Sequence, residues 1–113
     1  MTIHKMNLQP KYFDFIKNGS KRIELRLYDE KRSQIQLGDI IEFSKSENDK
    51  LRAKVVGLLR YQTFRDLLAD FDISILADSA MTKAELLHVL DGFYSPEKQA
   101  EYGVVGIKIK LMD

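Results

Sequence analysis

Five charged residues, four of them within residues 21–26, crowd one short stretch, Gly19-Ser20-Lys21-Arg22-Ile23-Glu24-Leu25-Arg26-Leu27-Tyr28-Asp29. On an extended strand successive side chains alternate between faces, so Arg22, Glu24 and Arg26 share one face and Ile23, Leu25 and Leu27 the other. Each arginine offers a planar fork of donors suited to phosphate or carboxylate. Glu24, two residues from each, can hold one of them rigid, which reduces the entropy lost on binding. It can equally accept from an exocyclic amine of a base, as acidic side chains do with cytosine. The bland alternative is a solvated strand face, whose ion pairs contribute little. Lys21 falls out of step with the arginines. Desolvated, or crowded by Arg22 and Arg26, its ammonium would lose pKa and become a candidate base; in water it stays an ordinary lysine.

Aromatic rings near the ends of predicted elements, Tyr28, Phe93, Tyr94 and Tyr102, offer the other half of a nucleobase site, because stacking is how single-stranded bases are commonly held. Helical spacing places Phe93 with Leu86 and Leu90 on an inward face, so Phe93 reads as core. Tyr28 and Tyr94 fall in predicted loops and are the better candidates.

Other chemistries lack their residues. Cysteine is absent, which removes disulfides, thiol nucleophiles and zinc–thiolate sites. The two histidines, His4 and His88, stand far apart without carboxylates at ligand spacing, so no metal site and no Ser-His-Asp triad is expected. Both read as partly exposed structural residues. No glycine-rich phosphate loop or dinucleotide fingerprint occurs, and no cofactor is expected. The formal net charge of +1 argues against a strong non-specific polyanion binder. Its distribution is uneven, with eight Lys/Arg against four Asp/Glu in residues 1–32 and ten against thirteen in the remainder. A basic first third could face phosphates or another anion. The start lacks the apolar core of a signal peptide and no apolar run reaches the roughly 20 residues of a membrane span. A cytoplasmic location and no membrane partner are expected.

The elements that must position the charged stretch follow from pattern. Residues 2–6 suit a short strand in which Ile3 alternates with His4. Pro10 suits the first turn of a helix carrying Tyr12, Phe13 and Ile16, and Gly19 suits its left-handed end. The charged strand covers residues 22–27, and the polar run 28–34 reads as a loop. A turn at Leu37-Gly38-Asp39 enters the strand 40–43, a loop over residues 44–50 makes a hairpin, and residues 51–61 form the longest strand, with a bulge or corner at Gly57. Thr63 opens a short helix, Thr82 and Glu85 form a capping box for the next, and Ser95-Pro96 starts another that ends at Gly103. Residues 105–111 alternate as a half-buried closing strand. With 113 residues, 44% hydrophobic and 31% charged, the chain fits one soluble globular domain over residues 1–113. The fold class is α+β: a small barrel of five to six strands, mixed or antiparallel, flanked by short helices.

The stretch Gly19-Ser20-Lys21-Arg22-Ile23-Glu24-Leu25-Arg26 resembles the G-x-K-x-x-E-x-R signature of the ASCH family, which belongs to the PUA-like superfold. The aromatic helix before it, the Leu37-Gly38-Asp39 turn and the last strand after Tyr102-Gly103-Val104 are placed as in that family. The continuation Leu27-Tyr28-Asp29 is similar to its small single-domain members. The resemblance implies a β-barrel edged by helices, with the signature lining a cleft that binds RNA or a nucleotide-like molecule. Lys21, Glu24 and Arg26 carry over as motif residues, whereas Arg22 falls on a variable position; Tyr28 and Tyr94 complete the expected ligand site. Some members are hydrolases. In those that deacetylate acetylated cytidine, the signature lysine works with a threonine three residues on and a separate glutamate. Here Lys21 is in place and Glu24 occupies the threonine position, and a carboxylate does not replace a hydroxyl in that nucleophilic route. If the chain is an enzyme of this kind or a ribonuclease, Lys21 and Glu24 are the catalytic candidates. A protein-interaction module using the open barrel edge is the third reading.

Overall fold

The computed structural model describes residues 2–112. Five strands, β1 (Ile3–Asn7), β2 (Ile23–Leu27), β3 (Ile40–Ser44), β4 (Lys50–Tyr61) and β5 (Val104–Leu111), form one sheet in the order β1-β3-β4-β5-β2. β1 pairs parallel with β3; every other pairing is antiparallel. The mixed sheet curls into a half-barrel flanked by six short helices, an α+β architecture of the expected PUA-like kind.

Local chemistry explains most boundaries. Pro10 stands at the start of α1 (Pro10–Lys17), where its missing N–H has no intrahelical partner to lose. That helix is followed by Gly19 at φ 90°, a conformation only glycine adopts without strain. The register of β4 against β5 shifts between Val55 and Gly57, which is the corner expected at that glycine. Thr82 and Glu85 form the reciprocal capping box that opens α5 (Lys83–Phe93). Two expectations, on residues 28–34 and on β5, are corrected. Residues 28–34 are not all loop: Asp29 accepts from the Arg32 N–H at 3.0 Å and starts a single turn, α2 (Glu30–Ser33). In β1 Ile3 and His4 do alternate, with Met6 the buried side chain and Ile3 45% exposed. β5 is buried on both faces over its first half and half-buried only over its second.

That double burial reflects two cores. The concave side of the sheet, with Phe43, Val55, Val105, Ile107 and Ile109, closes on Phe13 and Ile16 of α1. The opposite side of β2, with Ile23, Leu25 and Leu27, joins Val104 against α3 (Phe64–Ala69), α4 (Ile73–Leu76) and α5. Gly106 lies where β5 passes between these layers. A Cβ there would approach Ile23 Cγ2 to 3.1 Å and Leu67 Cδ1 to 3.2 Å. The last helix, α6 (Pro96–Tyr102), returns the chain to β5 through Gly103. The half-barrel stays open between its edge strands, β1 and β2, and Arg26 Nη2 reaches across this seam to the Asn7 carbonyl at 2.8 Å. No described helix is long and apolar enough to cross a membrane.

Candidate functional site

The seam is also a cleft. Glu24 and Arg26 lie opposite Ile107 and Val105 in the β2–β5 register, so their side chains enter the mouth of the barrel rather than solvent. Above them stand Leu86, Leu90 and Phe93 of α5, followed by Tyr94; Tyr12 of α1 and Lys21 complete a cavity of about 220 Å³. Lys21 is 3% and Glu24 4% exposed. Charges so deep must be met by partners, since removing an ion from water costs several kcal/mol.

The partners are local and specific. The Arg22 carbonyl accepts from the Ile109 N–H of the neighbouring strand at 3.0 Å, so the alternating Ile23 and Leu25 main-chain groups point to the bare edge. Two side chains of the charged stretch each satisfy one of them. Lys21 Nζ donates to the Ile23 carbonyl at 2.6 Å, and Glu24 Oε1 accepts the Leu25 N–H at 3.1 Å. They take the place of a further strand and leave those polar groups of the edge satisfied. Lys21 Nζ donates as well to the Leu76 carbonyl of α4 at 2.7 Å, and lies 3.5 Å from Glu24 Oε1. Arg26 directs both Nε and Nη2 to Glu24 Oε2, each at 2.8 Å. The result is one connected unit in which Glu24 is the anion shared by two cations.

Electrostatics follow from this arrangement. Burial pulls the Lys21 ammonium below the usual lysine range; the charge and hydrogen bond of Glu24 oppose that shift, and Arg26 adds to it. Burial would raise the Glu24 carboxyl, but Arg26 and Lys21, with hydrogen bonds from Arg26 and the Leu25 N–H, outweigh it and hold the group below the ordinary carboxylate range. Burial likewise works against the Arg26 charge, yet Glu24 and the neighbouring Tyr94 hydroxyl keep it firmly protonated. Tyr12, half-buried beside this unit, is pushed up by burial and by the Glu24 charge.

Lys21, Glu24, Arg26 and Tyr94 are therefore brought together. Arg22 is exposed and lies outside the cleft, although its carbonyl still bonds to β5. Tyr28 is elsewhere too: its ring packs against the concave core, with the Arg60 guanidinium 3.6 Å above its centre. Phe93 departs from expectation. It is 60% exposed at the cleft lip, since α5 runs one turn beyond the apolar layer that buries Leu86 and Leu90. Tyr102 belongs to a wider, shallow depression of about 850 Å³ with Arg60 and Arg65, which holds none of the buried charges. Sequence reasoning missed Tyr12 as a cleft residue, having placed it only in a core stripe. It also missed the Leu76 carbonyl, a main-chain atom no side-chain pattern announces. His4 has a partner after all, Asp39 at 2.8 Å, while His88 is exposed on α5. Among the described residues no group of three or more His, Asp or Glu side chains is placed to hold a metal ion.

The ASCH domain family matches residues 6–113 of the chain. Two solved structures are alike over nearly the full length of both chains. A crystal structure of the hypothetical protein PH0355 is 40% identical with a TM-score of 0.88, covering 98% of this chain and 100% of that one. A solution structure of the protein PF0455 from Pyrococcus furiosus is 37% identical with a TM-score of 0.80, covering 99% of each. A crystal structure of a mutant ZmASCH protein from Zymomonas mobilis shares the fold at 12% identity and a TM-score of 0.64, over 99% of this chain and 68% of that one. No curated protein matches the chain. With the signature residues gathered at one cleft and the family matched over almost the whole length, the chain belongs to the ASCH family.

Proposed function

We propose that the protein binds RNA by seating one unstacked base in the cleft between β1, β2 and α5. The observation that carries this reading is the pairing of a buried, internally ion-paired unit, two cations sharing one carboxylate, on the cleft floor with a bare aromatic ring, Phe93, at its lip. An exposed ring beside fixed donors suits a flat, polar, aromatic ligand. Arg26 is held by Glu24 and Asn7 through Nε and Nη2, which leaves Nη1 for a base carbonyl or a phosphate at little further entropic cost. Phe93 and Tyr94 supply stacking surface. Relationship to PUA domains, which bind RNA, supports the same reading. Arg22 and Tyr28 have no part in it, as both lie outside the cleft.

The alternative is a hydrolase acting on an acylated nucleoside, and the buried Lys21 with its lowered pKa favours it. Against it stands the setting of Nζ, which faces three acceptor oxygens, those of Ile23, Leu76 and Glu24. An ammonium fills all three with its protons and keeps no lone pair to act as a base. Lys21 is in this reading part of the floor.

The test is fluorescence anisotropy with short labelled single-stranded RNAs at low salt. Phe93→Ala is the informative variant, because that side chain is largely exposed and its loss leaves the core untouched. Stacking is worth about 1–3 kcal/mol per base, so affinity should fall about 5- to 100-fold. Absence of binding by the native protein, or an unchanged Phe93→Ala variant, refutes the reading. Product formation from acylated cytidine that disappears in Lys21→Met would establish the hydrolase instead.

A further inference from the structure

The convex side of the sheet carries a second, separate concentration of charge. Ile41, Phe43, Val55, Ile107 and Ile109 face the concave core, so their alternates face outward. The helices cover the β2 side of this outer surface and stop there. Beyond them Lys5 of β1, Arg52 and Lys54 of β4, and Lys108 and Lys110 of β5 are all exposed. Glu42 is the acid among them, set between Lys5 and Arg52 in the strand register and paired with Arg52 at 3.1 Å. Five cations against one carboxylate occupy one face of a chain whose net charge is +1. Positive charge has been sorted onto this side.

Its arrangement works against the fold. Lys54 and Lys110 are directly opposed across β4 and β5, a position in which like charges repel at about 5 Å between Cβ atoms. Lys108 lies two residues along the same face, its stem stretched over the bulge at Gly57, where a Cβ would come within 2.9 Å of Lys108 Cδ. Among the described residues none of these three lysines forms an ion pair. A lattice of cations separated by about 5 Å across strands and about 7 Å along them matches a partner carrying closely repeated negative charge.

We infer that this convex face binds the phosphate backbone of RNA, as a contact distinct from the cleft. No aromatic side chain stands on it, so it reads charge and not bases. Ile3, Val56 and Met112 are exposed singly at its margins and do not form the continuous apolar surface a lipid bilayer would require. The choice of RNA as the polyanion rests on the proposed function of the cleft, and the two contacts are separable by experiment.

The experiment compares a long oligouridylate with a uridine trinucleotide, titrating the native protein, Phe93→Ala, and the triple variant Lys54→Gln, Lys108→Gln, Lys110→Gln over a range of potassium chloride. For the long RNA the triple variant should bind at least about tenfold more weakly at low salt, with the slope of log K against log salt shallower by about 2, since each lost phosphate contact removes about 0.7. For the trinucleotide, which the cleft alone accommodates, the triple variant should match the native protein. Phe93→Ala should weaken both ligands and keep the native slope. All three substituted lysines are exposed, and relief of the Lys54–Lys110 repulsion should keep or raise the melting temperature, so folding does not confound the result. A native slope in the triple variant overturns the proposal, as does capture by anionic vesicles with no affinity for the long RNA. Slope loss in the triple variant with no effect of Phe93→Ala upholds the convex face and removes the cleft reading.

Discussion

Adjacent strands of this sheet treat charge in opposite ways. β2 turns Glu24 and Arg26 inward, where each ionic group has a counter-charge within hydrogen-bonding distance. β5 turns Lys108 and Lys110 outward, where the nearest strand neighbour of Lys110 is another lysine. Inside, the charges are interdependent: each is tolerable only because the others are present, and removal of one strands the rest in low dielectric. Outside, water screens each group and the charges act by number. The first arrangement fixes geometry and the second sets a field. In the proposed reading, the shaped cleft recognises and the diffuse basic face attracts.

The sharpest way to break this comparison is Glu24→Ala. Loss of the shared anion leaves Lys21 and Arg26 buried without a counter-charge, and stability measured by urea denaturation should fall by about 3–5 kcal/mol. A loss no greater than that of an exposed substitution would show that the inner unit is not interdependent. Lys21→Met should cost less, about 1–3 kcal/mol, because it removes the charge together with the donor and leaves the Ile23 and Leu76 carbonyls unmet. The double variant Glu24→Ala with Lys21→Met should be more stable than the sum of the two losses implies, the signature of coupled sites.

The smallest effect is the dependence on pH. The folded Glu24 carboxyl titrates below its ordinary value near 4.5, so between these two pKa values the unfolded chain binds more protons. Stability from this group is present above that window and declines as pH falls through it; Glu24→Gln should flatten that part of the acid limb. Lys21 gives the same sign at the other end. Its folded pKa lies below the ordinary 10.5, so in the window up to that value the unfolded chain again holds more protons and stability rises with pH. In Lys21→Met that alkaline gain should vanish from denaturation midpoints measured across the range.

Local signals were legible where the chain speaks to itself. Pro10 and Gly19 frame α1, Thr82 and Glu85 cap α5, Gly57 marks the β4 shift, and all act over a few residues. The inward side of Glu24 and Arg26 was legible as a shared face, but their burial was not, since it depends on β5 and α5 closing over them. Segment 72–81 carried no period, and α4 went unread; its Leu76 carbonyl meets Lys21 from 55 residues away. Phe93 shows how periodicity misleads at an element's end, where the helix continues and the core does not. Charge counted along the chain pointed to residues 1–32 as the basic region. The convex face instead draws four of its five cations from β4 and β5, in the part of the sequence that is acidic on balance. Alternation of Lys108 and Lys110 with Ile107 and Ile109 was the available clue.

The pairing of β2 with β5 has a consequence for how the molecule assembles. β2 has no other strand partner among the described residues, and β5 follows it only at residues 104–111. Contacts of such sequence separation form late, because the loop entropy must be met before they stabilise anything. During synthesis the stretch bearing Lys21, Glu24 and Arg26 has no strand partner until β5 is made, while the β3–β4 hairpin can already form. Its three charges then act as gatekeepers, keeping an apolar strand with Ile23, Leu25 and Leu27 from pairing with another nascent chain. The residues that later build the cleft first protect the chain that will carry it.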